Sequence, residues 1–152
     1  MIRPLKKYCR LTPIERWSLH RSLFLLPLVA LLLRLLGFQR CLRMLTQFSS
    51  CPSAEHAATE TAQAIARGVA IACSHGLYGG NCLKRSLTLW FLLRRRRLPG
   101  ELRIGARKTA GLLEAHAWIE YQGVVLNDAV DVGERYMAFE GPVMTNNVMG
   151  NL

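Results

Sequence analysis

The sequence predicts an α+β domain: helices in roughly its first two thirds, antiparallel strands after them. Three observations carry this. Thr12-Pro13-Ile14-Glu15 has the form of a helix-opening capping box. Ala58, Ala62, Ile65, Val69 and Ala72 recur at spacings of three and four, the apolar stripe of a helix. Beyond Pro99 the period becomes two, with Leu102, Ile104 and Ala106 alternating with Glu101, Arg103 and Gly105.

Taken in order, the first helix should run over 13–36, with Pro27 as a candidate kink and Gly37 as its stop. A short helix over 38–47 carries Leu42 and Leu45 on one side, and 48–53 reads as a linker. A third helix spans 54–74 and is broken by Gly76 and then Gly79-Gly80. The fourth starts near Cys82 and runs through Leu93 into Arg94, Arg95, Arg96 and Arg97, before Pro99-Gly100 ends it. Basic residues in a last turn suit the negative end of the helix dipole. Strands follow over 114–120 and 124–128, joined by a tight turn that ends at Gly123. Two regions result: a helical basic N-terminal segment, 1–50, and the domain that carries the chemistry, 51–152.

The charge is uneven. The chain has 152 residues and a net charge of +10. Residues 1–50 hold nine Lys/Arg against one acid, Glu15, so the rest contributes only +2. A basic excess favours an anionic partner: nucleic acid, a membrane surface or an acidic peptide. Nucleic acid is the weakest of these, because no nucleic-acid motif occurs and aromatic residues are not interleaved with the basic ones. The run 22–33 has no charge, but twelve residues are short of the roughly 20 needed to cross a bilayer. A buried or interfacial helix is the reading it favours. Five cysteines, an odd number without a C-x-x-C pair, indicate free thiols in a reducing, cytoplasmic setting, with a membrane contact as the one qualification. Zinc-ligand spacing is absent, and no cofactor is expected.

Cys82 is the residue to which chemistry attaches first. Gly79-Gly80 releases the chain into a turn, Asn81 follows, and Cys82 opens a helix. Backbone N–H groups at a helix start favour a thiolate, the reactive form, and can hold an oxyanion. Most cysteines are simply small buried residues, and the local sequence leaves that reading open. His116 lies on a strand whose alternation sets His116, Trp118 and Glu120 on one face and Ala117, Ile119 and Tyr121 on the other. A three-residue turn, Tyr121-Gln122-Gly123, would pair Glu120 with Val124 and therefore His116 with Asp128. A two-residue turn would oppose His116 to Ala129 and send Asp128 to the other face. The first register gives the base and orienter that a cysteine nucleophile needs. Asp131 and Glu114 are the alternative carboxylates, and His75, near Cys82, reads as structural.

A helix-opening cysteine, then a His strand, then an Asp strand is the chain order of the transglutaminase-like superfamily. Cys82-Leu83-Lys84-Arg85-Ser86-Leu87-Thr88-Leu89, Leu102-Arg103-Ile104-Gly105 and Ala115-His116-Ala117-Trp118-Ile119-Glu120 more closely resemble the lasso-peptide leader peptidases, over residues 76–140. The resemblance implies a transglutaminase-like or papain-like peptidase core in 51–152, with Cys82, His116 and Asp128 as the catalytic triad. It also implies a ribosomally made precursor peptide with a leader as substrate, a separate leader-recognition protein and a lasso cyclase as partners. Asn81, with the Cys82 N–H, is the candidate oxyanion donor, and Trp118 the candidate lining of the substrate cleft. Two rival functions stand beside this one: a basic interaction protein at a membrane surface or nucleic acid, and a transglutaminase-like acyltransferase that passes the thioester to an amine.

Overall fold

The computed structural model describes residues 10–50, 59–75 and 81–139. Expectations for residues 51–58 (Ala58 among them), the side chain of His75 and the glycines at 76, 79 and 80 fall outside those residues.

The first helix, α1 (Pro13–Gln47), opens as its capping box requires. The Thr12 hydroxyl accepts from the Glu15 N–H at 3.2 Å, and Glu15 Oε2 accepts from the Thr12 N–H at 2.7 Å. The two helices expected over 13–36 and 38–47 are two arms of this one element, joined at Gly37, whose φ of 77° and ψ of 174° are non-helical. The break falls there, while Pro27 lies inside the helix without a break in helical φ/ψ.

Helix α2 (Thr59–His75) buries the expected stripe of Ala62, Ile65, Val69 and Ala72. It crosses α1 closely at Gly68, where a Cβ atom would come within 2.6 Å of the Glu15 carbonyl oxygen. Glycine is there for contact, not for a turn.

Helix α3 (Cys82–Arg95) is capped by Asn81 and ends two residues earlier than its arginines predict. Arg97 adopts a left-handed φ of 59°, and the Leu98 N–H folds back to the Leu93 carbonyl at 3.0 Å. The buried row Leu87, Leu89, Trp90, Leu92 and Leu93 turns α3 into the central helix of the core.

Four antiparallel strands follow in the order β3-β2-β1-β4: β1 (Glu101–Thr109), β2 (Leu112–Tyr121), β3 (Val124–Val125) and β4 (Met137–Ala138). A four-residue helix, α4 (Val132–Arg135), precedes β4. The fold is α+β, as the change of period predicts: helices packed on a four-stranded antiparallel sheet. Alternation along β2 divides its side chains as expected. Ala117, Ile119 and Tyr121 join the core beneath α3, and Trp118 packs on the opposite side with Val132 and Tyr136. Val29, Leu42 and Leu45 of α1 lie in the same core as Ile65 of α2 and Leu102 of β1.

The expected hairpin register is one residue out. Glu120 pairs with Val125 and Tyr121 with Val124, so the loop is the two residues Gln122 and Gly123. Both have positive φ, 51° and 76°, as in a type I′ turn. Glutamine is an unusual occupant of that first position, which is why a three-residue loop with glycine alone left-handed looks better in the sequence. The strand expected over 124–128 also stops at Val125; the Leu126 N–H makes a last bond to the Ile119 carbonyl at 2.9 Å, and residues 127–128 bend away from the ladder.

Candidate active site

The early end of β3 makes the site. In the observed register an unbroken strand would carry Asp128 away from His116. The bend returns it: His116 Nε2 and Asp128 Oδ2 are 2.5 Å apart. Asp128 thus meets the imidazole from a loop, not from the sheet position expected of it.

Asn127 sets that loop. Its Oδ1 accepts from the Ile119 N–H at 2.8 Å, taking the place of a ladder bond, and its Nδ2 donates to Ser86 Oγ at 2.8 Å. Ser86 in turn donates to the Ala117 carbonyl at 2.9 Å. Arg85 Nη2 donates to the Asn127 carbonyl. One network therefore ties α3, β2 and the Asp128 loop together, beside His116 in sequence and in space.

Cys82 is half-buried at the first position of α3 and packs against the core. Cys82, Arg85 and Ser86 stand at i, i+3 and i+4, one face of the helix. Since Arg85 and Ser86 reach the Asp128 loop and the β2 backbone, that face is turned toward β2; among the described residues no hydrogen bond joins Cys82 to His116. The Cys82 N–H belongs to the first turn of the helix, where no intrahelical acceptor exists. Burial pushes the Cys41 thiol up, and burial also pushes the Cys73 thiol up against the lowering charge of Arg85.

Asp128 is held from several sides. Burial raises its carboxyl, but the His116 hydrogen bond, the Ala129 N–H at 2.8 Å and the charges of His116 and Arg85 outweigh it. The net effect is a carboxyl below its ordinary value, a carboxylate at neutral pH. Arg135 Nη2 adds a contact to Oδ1 at 3.3 Å. The imidazole plane is set by Tyr136, stacked on it with ring centroids 4.8 Å apart. With Nε2 engaged by Asp128, Nδ1 is the ring nitrogen left for another partner.

The other sequence candidates have other places. Asn81 is the N-cap of α3, its Oδ1 accepting from the Leu83 N–H at 2.9 Å. Trp118 is fully buried and donates from Nε1 to Glu120 at 2.8 Å, so it backs the histidine and does not face solvent. Asp131 pairs with Arg135 at 3.2 Å and Glu114 with Arg107 at 2.7 Å. Sequence reasoning missed Arg85, Asn127, Arg135 and Tyr136. The position of Arg85, three residues after Cys82, was a usable signal; the others depend on a bend and a short helix that no periodicity announces.

A family model of the transglutaminase-like superfamily matches residues 8–140. The chain belongs to the transglutaminase-like superfamily. No curated protein and no solved structure gives a match. Membership of this superfamily makes cysteine-hydrolase or acyltransferase chemistry the class of activity open to the chain, without naming a substrate.

Proposed function

We propose that the protein is a cysteine peptidase that removes the leader from a ribosomally made lasso precursor peptide. The observation that carries this reading is the 2.5 Å contact of His116 with Asp128, on the strand that the Cys82 face of α3 packs against. The finer substrate assignment rests on the resemblance of the Cys82, Leu102 and His116 motifs to lasso leader peptidases.

In this mechanism His116 Nδ1 takes the Cys82 proton, and the sulfur attacks the scissile carbonyl carbon. The carbonyl π-bond opens to an oxyanion, for which the Cys82 N–H is the available donor. Collapse breaks the C–N bond, His116 returns the proton to the departing amine, and a thioester remains. Water, deprotonated by His116, hydrolyses it and regenerates the thiol. Asp128 keeps the ring oriented and stabilises its protonated form. The departing amine is the new N-terminus of the core peptide, which a partner cyclase would join to an Asp or Glu side chain. No part of the described fold resembles a peptide-reading module, so a separate recognition protein would deliver the leader and raise its effective concentration near Cys82.

The test is mass spectrometry of precursor incubated with this protein and the recognition protein. Cleavage is expected with the wild-type chain, and loss of it with Cys82→Ala and His116→Ala while both variants keep the wild-type melting temperature. Wild-type cleavage by either variant would remove the triad. A leader transferred to an added amine in preference to water would favour acyltransfer.

A further inference from the structure

The chemistry at Cys82 leaves the outward face of α1 without a role. Phe24, Leu28, Leu31 and Leu35 follow one another at spacings of four, three and four, so they form a single stripe along the helix. All four are exposed, Phe24 at 79% and Leu35 at 69%. An 18-residue window of α1 has a mean hydropathy of 1.9, yet only 17% of it is buried. A contiguous apolar face of this kind marks a contact surface.

Charge selects the occupant. Arg21 lies toward the N-terminal end of the stripe and Arg34 beside its C-terminal end, with Arg40 and Arg43 beyond. A cleft runs along it toward the start of α3, lined by Leu28, Leu31, Arg34, Phe38, Leu83 and Lys84. The one acid of α1, Glu15, is buried and already paired with Arg67 at 2.6 Å. The face is thus apolar along its middle and cationic at its edges, and its stripe offers no side-chain hydrogen-bonding group with which to read a protein partner. Anionic phospholipid meets both requirements: the headgroup–acyl boundary takes the stripe, and phosphates take the cations.

The opposite face rules out a transbilayer position. Leu19, Leu26, Val29, Leu42 and Leu45 are buried in the protein, as are Glu15, Ser18 and Ser22. Crossing the membrane would strip these from the core and separate Glu15 from Arg67. We infer that α1 is an interfacial helix that docks the protein on an anionic membrane surface, Phe24, Leu28, Leu31 and Leu35 inward and Arg21, Arg34 and Lys84 on the phosphates. Because Leu83 and Lys84 follow Cys82 directly, docking sets the first turn of α3 beside the bilayer. The inference is independent of the proposed peptidase activity.

Sedimentation of the full chain with vesicles tests it. Vesicles of phosphatidylcholine with one quarter phosphatidylglycerol should bind the protein at least about tenfold more tightly than phosphatidylcholine alone. Raising the salt should weaken that binding. Phe24→Ser combined with Leu31→Ser should weaken it about tenfold or more with an unchanged thermal melt, since both side chains are exposed. Arg34→Glu with Lys84→Glu should abolish the preference for anionic vesicles. Absence of binding, equal binding to both vesicles, or retention in membranes after carbonate extraction would each overturn the inference. So would a dimer in size-exclusion chromatography that Phe24→Ser dissolves while vesicle binding stays nil, since the face would then be covered by a second copy.

Discussion

Two carboxylates in this molecule are held below their ordinary values by basic partners, and they do opposite things. Glu15, at the start of α1, is 7% exposed and accepts from Arg67 through Oε1 and from the Thr12 N–H through Oε2. The Arg67 hydrogen bond is the largest cause of its lowering, followed by the Thr12 N–H. Every partner of Glu15 keeps its proton at any pH of interest, so the cluster can only bolt α1 to α2. Asp128 faces Arg85 and Arg135 also, but its closest partner is an imidazole. That partner can gain or lose a proton and has a second ring nitrogen. The Asp128 cluster, unlike that of Glu15, has a partner whose chemistry is not used up by the pairing.

Substitutions should separate the two. Asp128→Asn keeps the shape of the loop but removes the charge that stabilises protonated His116. It should lower turnover roughly 10²-fold or more, yet leave more activity than Cys82→Ala, because an orienter can be partly replaced. Arg67→Ala should do the reverse: about 1–2 kcal/mol of stability lost in denaturant unfolding, as for a hydrogen bond to a charged group, with turnover per folded molecule unchanged. A comparable loss of turnover in Arg67→Ala would erase the distinction.

Acid gives a smaller effect with a defined sign. A carboxyl whose folded value is depressed contributes stability that is fully present above its unfolded value and is lost as pH falls through the folded one. Both Glu15 and Asp128 are of this kind. The melting temperature should therefore hold down to about pH 4 and fall below it. Arg67→Ala and Asp128→Asn should each make that fall shallower, because the first removes the largest cause of the Glu15 lowering and the second removes the Asp128 carboxyl itself.

The same contrast shows what the sequence discloses. The Glu15 cluster begins with a local signal, Thr12-Pro13-Ile14-Glu15, whose hydrogen bonds span three residues. The helical stripe of α2 and the alternation of β1 and β2 are likewise local and regular, and they appear as read. The Asp128 contact is neither. Its expected register rests on Gln122 avoiding a positive φ, which Gln122 in fact adopts. His116 and Asp128 nonetheless meet, because the Asn127 side chain replaces a ladder bond and turns the chain. The contact expected between them is present, but through a geometry other than the one expected. Helix α4 and strand β4 have four and two residues, too few for either period to register. Tyr136, between them, is consequently a feature of the structure alone.

The central claim is that His116 and Asp128 serve Cys82, and the reactivity of that thiol tests it without any peptide substrate. Iodoacetamide labelling at neutral pH, quantified residue by residue by mass spectrometry, should modify Cys82 well ahead of Cys41 and Cys73, whose thiols burial pushes up. His116→Ala should slow Cys82 labelling about tenfold or more and Asp128→Asn should slow it less, with Cys41 and Cys73 unchanged. Cys82 labelling at the same rate in all three proteins would contradict the account.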